Sequence, residues 1–550
     1  MNQAGLSRLA TAASKQDGQN SPDGLWERIE DTQSLLRQNQ AQIQPESFRV
    51  FRLNRELLRG KLGGAPLESS AAAKDALVEM TLPMPDGRFL RLRIEESPMM
   101  EPGLAAKFPE IKTYQGQGID DPSVYARFGW TLDGFHALVL RYNDQGDAVQ
   151  ISPRVKGNLD EYLSYATKDV PSPSDLRFQC GALELRDTNN ARSDNAVPAA
   201  PAIAFGTTLR TYRLAVAATT RWTNTYGGNT PAGAVSAITT VMNQVNAIYR
   251  TELSVRMVLV ANNDQIVYPT TFSGTYPYTD TAGDNATGTT NGENQTNIDN
   301  VILNGNYDIG HIFGVFQSGQ FAGLASVGVV CNANKARGSS MFGGGLTTNP
   351  FNLYVVAHEM GHQFGATHSF NASCQGNRTA GSAWEPDSGS TIMSYGSNNC
   401  QGGSGLQNNA DLYFQGGNLT QIINYINGSA GCATTVASGN TPPNVNAGAN
   451  FTIPQQTPFA LTATGSDPDG HAVTFSWEQL DLGSQSPPNS DDGTRPLFRS
   501  FPGSSSPTRT FPSLNFILNF ANVPPATFNG FVTGETLPAT NRTMNFQVTA

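Results

Sequence analysis

Alternation of hydrophobic and polar residues predicts strands in the N-terminal third of the chain. Residues 89–96 alternate apolar side chains with arginines, which is the period of a half-buried strand. Residues 134–142 and 147–152 predict two more strands, joined as a hairpin by a turn-forming segment. We therefore expect an α+β or mostly β unit over residues 46–186, preceded by a polar, patternless and disordered leader at residues 1–45.

The spacing of hydrophobic residues changes after residue 204, and this change marks a second unit. Residues 209–222 and 254–263 have strand character, whereas residues 232–253 carry apolar side chains at helical spacing. Alternation of strands and helices is typical of an α/β unit, which we place at residues 205–437. The segment before it, residues 187–204, is rich in Asn, Ala and Pro and is predicted to be a linker.

Short β-rich runs joined by turn residues follow, and they predict a third unit at residues 438–550 with a β-sandwich fold. Asp467 and Asp469 lie in a predicted turn, where they could bind Ca²⁺ or, alternatively, only be solvated. Trp477 is predicted to be a core residue. The chain stops at the end of a strand, so we expect the natural protein to continue.

Composition limits the classes of function. Charged residues make up 15% of the chain and the formal net charge is -10, so the chain lacks the basic patch that nucleic acid or anionic lipid requires. No apolar run approaches the roughly 20 residues that span a bilayer. The abundance of Asn, Thr, Ser and Gly favours a secreted or cell-surface protein, although the sequence begins without the apolar stretch of a signal peptide.

The residues suited to chemistry form the motif His358-Glu359-x-x-His362-x-x-Gly365-x-x-His368. On a helix, the first two histidines lie one turn apart on one face, opposite an apolar face. Gly365 can adopt a positive φ, end the helix and bring His368 round as a third ligand. Three imidazoles with an open fourth position are typical of catalytic zinc, and Glu359 is placed to act as the general base.

The alternative interpretation is that these are three ordinary core or surface histidines. The chain has only six histidines, and three of them occupy this one short motif. We therefore favour a zinc site.

The motif HEMGHQFGATH, followed by STIMSY at residues 390–395, resembles the metzincin metallopeptidases, and in particular their bacterial reprolysin-like branch. The resemblance implies a catalytic domain with a twisted mixed sheet, a zinc-binding active-site helix and one catalytic zinc ion. It places Met393 in a turn beneath the metal. Tyr395 matches the tyrosine of astacin- and serralysin-like metzincins, which venom-type reprolysins usually lack, and this match implies a role as a zinc ligand or oxyanion stabiliser. The alternatives are an ordinary core methionine and a buried aromatic residue whose hydroxyl is satisfied nearby.

Residues 321–331 also resemble this family and correspond to its strand beside the substrate cleft. An edge strand can hydrogen-bond an extended peptide. The resemblance therefore makes Gly323, Leu324 and Ala325 candidates for backbone contacts with substrate. We expect His311, in an earlier strand, to be structural.

Four of the five cysteines lie in the presumed catalytic unit, and the sequence leaves their three pairings open. The resemblance to reprolysins favours the disulfides Cys331–Cys432 and Cys374–Cys400. Reduced, buried cysteines are the alternative, but they fit an exported protein poorly.

The fifth cysteine, Cys180, is followed by Gly181 and resembles the cysteine switch of matrix and ADAM-type proteases. A thiolate is a soft zinc ligand that could close the fourth position. The matrix pattern has Arg before the cysteine, whereas this chain has Gln179. Alternatives are a thiol with no role at zinc and an intermolecular disulfide.

Parts of residues 81–123 resemble the propeptide of the same bacterial family. We therefore interpret residues 46–186 as an inhibitory propeptide and residues 187–204 as the segment cleaved on activation. The alternative is an N-terminal binding domain that is never removed.

Together these features predict a secreted zinc metalloendopeptidase, made as a zymogen, that acts on proteins or peptides and is inhibited by its own propeptide. One alternative is a non-catalytic adhesion or binding protein with a structural zinc, against which Glu359 argues because a structural site needs no base. Another is a different zinc hydrolase or amidase, against which His368 and Met393 argue. The C-terminal unit resembles immunoglobulin-like or PKD-type modules that space or anchor bacterial extracellular enzymes.

Overall fold

The computed structural model describes most of the chain, with several gaps. The described ranges are residues 20–29, 42–70, 78–141, 146–171, 180–181, 203–279, 284–317, 319–396, 405–485 and 487–550. The predicted linker lies almost wholly outside them, and so does Cys400.

The N-terminal unit is built around one antiparallel sheet. Its elements are β1 (Trp26–Ile29), β2 (Arg49–Leu53), α1 (Arg55–Gly63), β3 (Glu79–Pro83), β4 (Phe89–Glu96), α2 (Pro102–Lys107), β5 (Lys112–Gly118), β6 (Tyr125–Thr131), β7 (Gly134–Leu140), β8 (Val149–Pro153) and β9 (Glu161–Ala166). The strands pair in the order β1-β2-β9-β8-β7-β6-β5-β4-β3. The predicted strand β4 and the predicted hairpin of β7 and β8 are confirmed.

The predicted disordered leader at residues 1–45 is wrong for the part that the structure describes. Strand β1 pairs with β2, and the side chain of Trp26 is only 1% exposed. The Trp26 indole donates a hydrogen bond to the carbonyl of Thr81 over 2.9 Å. The sequence pattern missed this strand because its four residues, WERI, do not alternate between apolar and polar.

The central unit is a mixed sheet with helices packed on it. Its elements are β10 (Thr208–Ala218), α3 (Thr220–Thr225), α4 (Pro231–Leu253), β11 (Val255–Leu259), α5 (Gly288–Ile298), β12 (Ile309–Val315), β13 (Gly323–Ala325), β14 (Gly338–Phe342), α6 (Pro350–Gln363), α7 (Gly416–Gly428) and β15 (Thr434–Ala437). The order β11-β10-β12-β14-β13 has parallel pairs except at β13, and β15 pairs antiparallel with β10. The predicted helix α4 and its flanking strands are confirmed.

Helix α6 carries the histidine motif and is anchored by its apolar face. It begins after Asn349, whose side chain caps the backbone N–H of Phe351, and Pro350 occupies the first turn. The apolar face packs in the same core as α4; its members are Leu353, Val356, Ala357, Met360 and Phe364. Gly365, with φ +94°, then turns the chain away from the helix.

A disulfide joins Cys331, just after β13, to Cys432, just after α7. It ties the edge of the sheet to the end of the central unit. Cys374 is also disulfide-bonded. Because Cys400 lies outside the described residues, its pairing with Cys374 stays a prediction.

The C-terminal unit consists of short strands around an aromatic core. Its elements are β16 (Asn444–Asn446), β17 (Phe459–Thr462), β18 (Thr464–Ser466), β19 (Ser476–Gln479), β20 (Thr508–Phe511), α8 (Leu514–Asn519), β21 (Thr527–Phe528), β22 (Phe531–Val532) and β23 (Phe546–Thr549). The antiparallel pairs are β16 with β18, β17 with β20, β19 with β23 and β21 with β22. Trp477 is buried in the core, as predicted.

The turn that carries Asp467 and Asp469 uses its carboxylates locally. Asp469 accepts hydrogen bonds from the backbone and hydroxyl of Thr441, and Asp467 accepts from the backbone of Asp469 and His471. These contacts are those of a turn, and calcium binding stays a prediction. None of the described helices is long and apolar enough to cross a bilayer.

Candidate metal centre

Four side chains converge at the C-terminal half of α6. The Nε2 atom of His362 lies 3.1 Å from Nε2 of His358 and 3.2 Å from Nε2 of His368. The Sγ atom of Cys180 lies 3.5 Å from Nε2 of His362. All four residues are buried, and one ligand atom from each fits within 4.8 Å of the others. The structure therefore brings the three predicted zinc ligands and the predicted switch cysteine together.

Each histidine ring is oriented by a backbone carbonyl at its other nitrogen. The Nδ1 contacts are His358 to the carbonyl of Ile392 at 2.6 Å, His362 to that of Ala366 at 2.8 Å and His368 to that of Asn377 at 2.7 Å. Because a carbonyl oxygen only accepts, each Nδ1 must carry a hydrogen. In the neutral form of each ring the Nε2 lone pair then points into the centre, as metal ligands require.

This arrangement is suited to a cation. Burial lowers the pKa of His358 well below its usual value and lowers the pKa of His362 to about 4, so these rings are neutral at pH 7. Neutral rings whose lone pairs face each other repel unless a positive ion lies between them. Tetrahedral zinc separates two nitrogen ligands by roughly 3.3 Å and a nitrogen from a sulfur by roughly 3.5 Å, so the observed spacings fit zinc.

Glu359 lies beside this centre, between the histidines and the edge of the sheet. Its Oε2 atom is 3.6 Å from Sγ of Cys180, and its Oε1 atom is buried with no hydrogen-bond partner among the described residues. A Cβ atom on Gly323 would lie 2.1 Å from Oε1, so only glycine lets the strand approach this closely. Burial raises the pKa of Glu359 well above its usual value, which favours proton binding.

The edge strand β13 is paired by the segment that carries Cys180. Cys180 forms a parallel bridge with Gly323, and the backbone N–H of Gly181 donates to the Gly323 carbonyl over 3.0 Å. Of the three predicted substrate contacts, Gly323 therefore lies where a peptide backbone is bound. The carbonyl of Leu324 instead accepts from side chains of its own unit, and Ala325 pairs with β14.

Tyr395 and Met393 also lie next to the histidines. The Tyr395 hydroxyl accepts from the backbone N–H of Cys180 over 3.0 Å and donates to its carbonyl over 3.2 Å. Its ring centroid is 5.2 Å from that of His368. Met393 is fully buried against α6. Both residues thus border the candidate site.

His311 does not join the cluster. Its two ring nitrogens contact the Gln363 side chain and the Ser340 hydroxyl, each over 2.9 Å. Burial lowers its pKa to about 4. These contacts fasten the end of α6 to the sheet, in line with the structural role predicted for it.

Sequence reasoning missed two charged residues that hold the loops around the site. Glu385 is fully buried and accepts hydrogen bonds from Ser369, next to His368, and from Ser390 and Thr391, just before the methionine turn. Arg378 follows Asn377, whose carbonyl orients His368. The sequence did contain one signal for them, which is that charged residues are rare in this region. Between His368 and residue 396 the only charged residues are Arg378, Glu385 and Asp387.

Comparison with known proteins agrees with this geometry. Residues 208–426 match the model of metallopeptidase family M12B, reprolysin-like. This match covers α6, the three histidines, Glu359, Met393 and Tyr395. No curated protein matches the chain.

Proposed function

Because the chain belongs, through residues 208–426, to the reprolysin-like metzincin peptidases of family M12B, we propose that it is a secreted zinc endopeptidase made as a zymogen. M12B members are zinc metallopeptidases, so the substrates are proteins or peptides. The observation that carries the proposal is the convergence of three buried imidazoles beside a buried carboxyl group.

In this proposal His358, His362 and His368 hold the ion through Nε2, while the carbonyls behind them keep the rings in position. Zinc, when bound, supplies a Lewis acid that activates water and polarises a peptide carbonyl. Glu359 takes the proton from that water at Oε1, which has no other partner among the described residues, and passes it to the leaving amine. The raised pKa of Glu359 suits a group that must hold a proton between these steps.

The edge strand and Tyr395 position the substrate. Gly323 offers its carbonyl to an extended backbone, as it does here to Gly181. The hydroxyl of Tyr395, now bonded to the backbone of Cys180, becomes available to a substrate oxygen once that segment leaves.

We further propose that Cys180 is the latch of the zymogen. Its sulfur lies at ligand distance from the histidine centre and also contacts Glu359, so it would exclude both water and the base. Residues 180 and 181 simultaneously cover the strand that would bind substrate. The proposal also includes three domains, which span residues 46–186, 205–437 and 438–550. The last of these is proposed to be a β-sandwich.

The surface between the N-terminal and central units is partly polar. Helix α4 directs polar side chains toward the N-terminal sheet; its members are Ser236, Thr240, Asn243 and Gln244. Release of the N-terminal unit would expose these side chains to water at little cost. The rest of the interface is apolar, because Met99, Leu104 and Leu138 pack in the same core as α4, and their burial opposes release.

The same interface leaves buried polar atoms unsatisfied. Arg127 bonds to Asn243 over 2.7 Å, yet its Nη1 has no partner in the described part of the chain. Gln150 and Gln244 bond to each other over 2.9 Å but also retain one such atom each. Each unsatisfied atom costs on the order of 1–3 kcal/mol, which weakens the association.

The proposal is tested by cleavage of casein with zinc-loaded protein after limited proteolysis has removed the propeptide. We expect cleavage that Glu359→Gln abolishes while the variant still binds one zinc ion. A Glu359→Gln protein that cleaves as fast as the wild type would exclude this carboxylate as the base. Zinc binding without any cleavage of casein, gelatin or a peptide library would instead favour the non-catalytic adhesion or binding protein.

A further inference from the structure

The orientation of His368 depends on a loop that contacts the C-terminal unit as well as the central unit. The carbonyl that orients His368 belongs to Asn377, at the end of a loop spanning residues 371–378. Unlike the partners of His358 and His362, which lie close to α6 or the buried methionine turn, this loop lies against the C-terminal unit.

Arg378 links the loop to that unit. Its Nε donates to the Asn371 side chain over 2.9 Å, and its Nη2 donates to the carbonyl of Gly483. Asn371 in turn donates to the carbonyl of Ser484 over 3.1 Å. Both ends of the loop are therefore fastened to two consecutive carbonyls of the C-terminal unit.

Other contacts join the same two regions. The hydroxyl of Ser390, next to the methionine turn, donates to the carbonyl of Ser500 over 3.2 Å. The buried carboxyl group of Glu478 accepts from the backbone N–H of Gly416 at the start of α7 over 2.7 Å. The C-terminal unit thus contacts the loop of residues 371–378, Ser390 beside the methionine turn, and the start of α7. A module that only spaces or anchors an enzyme need not make these contacts.

We propose that the C-terminal unit helps to maintain the geometry of the metal centre. In this proposal Arg378 is a positioning residue that holds the Asn377 carbonyl on Nδ1 of His368. This inference rests on the proposed zinc site. Loss of the arginine removes the side-chain contacts at the C-terminal end of the loop, while the other end stays bonded to the backbone of Glu385 and Asp387. The Asn377 carbonyl is then held less firmly on Nδ1 of His368, so the imidazole loses part of its orientation for binding. Partners that orient metal-binding histidines typically contribute 10–100-fold to metal affinity.

The test compares zinc release from the full chain to a chelator for Arg378→Ala and Arg499→Ala. Arg499 is the matched control because it also crosses the interface, donating to the carbonyl of Leu406 and the side chain of Gln407, but it does not contact the loop of residues 371–378. We expect Arg378→Ala to release zinc about 10-fold or more faster, and Arg499→Ala to stay within about twofold of the wild type.

Two further readouts separate positioning from general destabilisation. Cobalt-substituted Arg378→Ala should show an altered visible absorption spectrum at a temperature where circular dichroism is unchanged, and Asn371→Ala should shift it in the same direction. With casein-derived peptides as substrates and the propeptide removed, Arg378→Ala should lower kcat by a larger factor than it changes KM.

Equal zinc release from Arg378→Ala and the wild type, or equal acceleration by both arginine variants, would overturn the inference. Neither outcome affects the proposed function, which fails only if the wild-type chain itself binds no zinc or cleaves no substrate.

Discussion

Met393 packs its sulfur against Gly361, near the C-terminal end of the histidine-bearing helix. A Cβ atom added to Gly361 would lie 2.5 Å from Sδ of Met393 and 3.2 Å from the ring of Phe414. Gly361 directly precedes His362, so this contact sets the distance between the methionine turn and the helix. The same turn supplies the Ile392 carbonyl that orients His358.

We therefore expect Gly361→Ala to lower the free energy of unfolding by about 1–3 kcal/mol through overpacking, despite the better helix propensity of alanine. Zinc affinity should fall in parallel, because Ile392 moves with Met393. Chemical denaturation and chelator competition measure the two effects.

Gly292 provides the control, since it lies in helix α5 and a Cβ atom there would meet no described atom within 4 Å apart from its own neighbouring helix turns. Gly292→Ala should raise the free energy of unfolding by about 0.5–1 kcal/mol. If Gly361→Ala were stabilising to the same extent, the close contact with Met393 would not constrain the site.

Cys180→Ser is expected to raise the activity of the uncleaved chain by about 10-fold or more, because the soft sulfur that blocks the centre is replaced by a poor zinc ligand. The measurement is peptide cleavage by the intact protein, checked by mass spectrometry for absence of processing. The double variant Cys180→Ser/Glu359→Gln is the control and should be inactive. Unchanged inactivity of Cys180→Ser would exclude the latch.

Tyr395→Phe should act on two stages. Loss of the two hydrogen bonds to Cys180 should weaken inhibition by separately added propeptide by up to about 10-fold. In the enzyme without its propeptide, kcat should fall by about 10-fold or more if the hydroxyl stabilises the transition state. Steady-state kinetics with and without the propeptide distinguish the two effects, and an unchanged kcat would remove Tyr395 from the mechanism.

Glu478 should make stability depend on pH. Burial, reinforced by the charge of Glu385, raises the pKa of Glu478 in the folded protein from 4.5 to about 8. The folded state then binds a proton that the unfolded state has lost, so this contribution to stability is complete below pH 4.5 and is lost as pH rises through about 8.

Glu478→Gln keeps an acceptor for the Gly416 N–H but cannot ionise. We expect the variant to exceed the wild type in free energy of unfolding at pH 8.5 by more than about 1 kcal/mol, with the difference shrinking toward pH 5. Urea denaturation at a series of pH values checks this. Parallel curves for the two proteins would contradict a buried, neutral Glu478.

The fold was most predictable where a pattern is long and local. The 23-residue helix α4 and the strand β4 follow directly from hydrophobic period. The four-residue strand β1 did not, since its burial of Trp26 depends on Thr81 in a distant strand. Short elements of this kind are fixed by partners that the local pattern does not reveal.

The sequence by itself determined the three histidines and the glutamate, because one helical turn and one glycine suffice to bring them to the same place. Only the tertiary structure decided that Cys180, which precedes His362 by 182 residues, lies against the histidines. It also decided that Glu385 links Ser369 to the methionine turn and that Arg378 reaches the C-terminal unit. The physical reason is the range of the interaction. Backbone hydrogen bonding gives spacing within a helix, whereas contacts between distant segments depend on how whole sheets and loops pack.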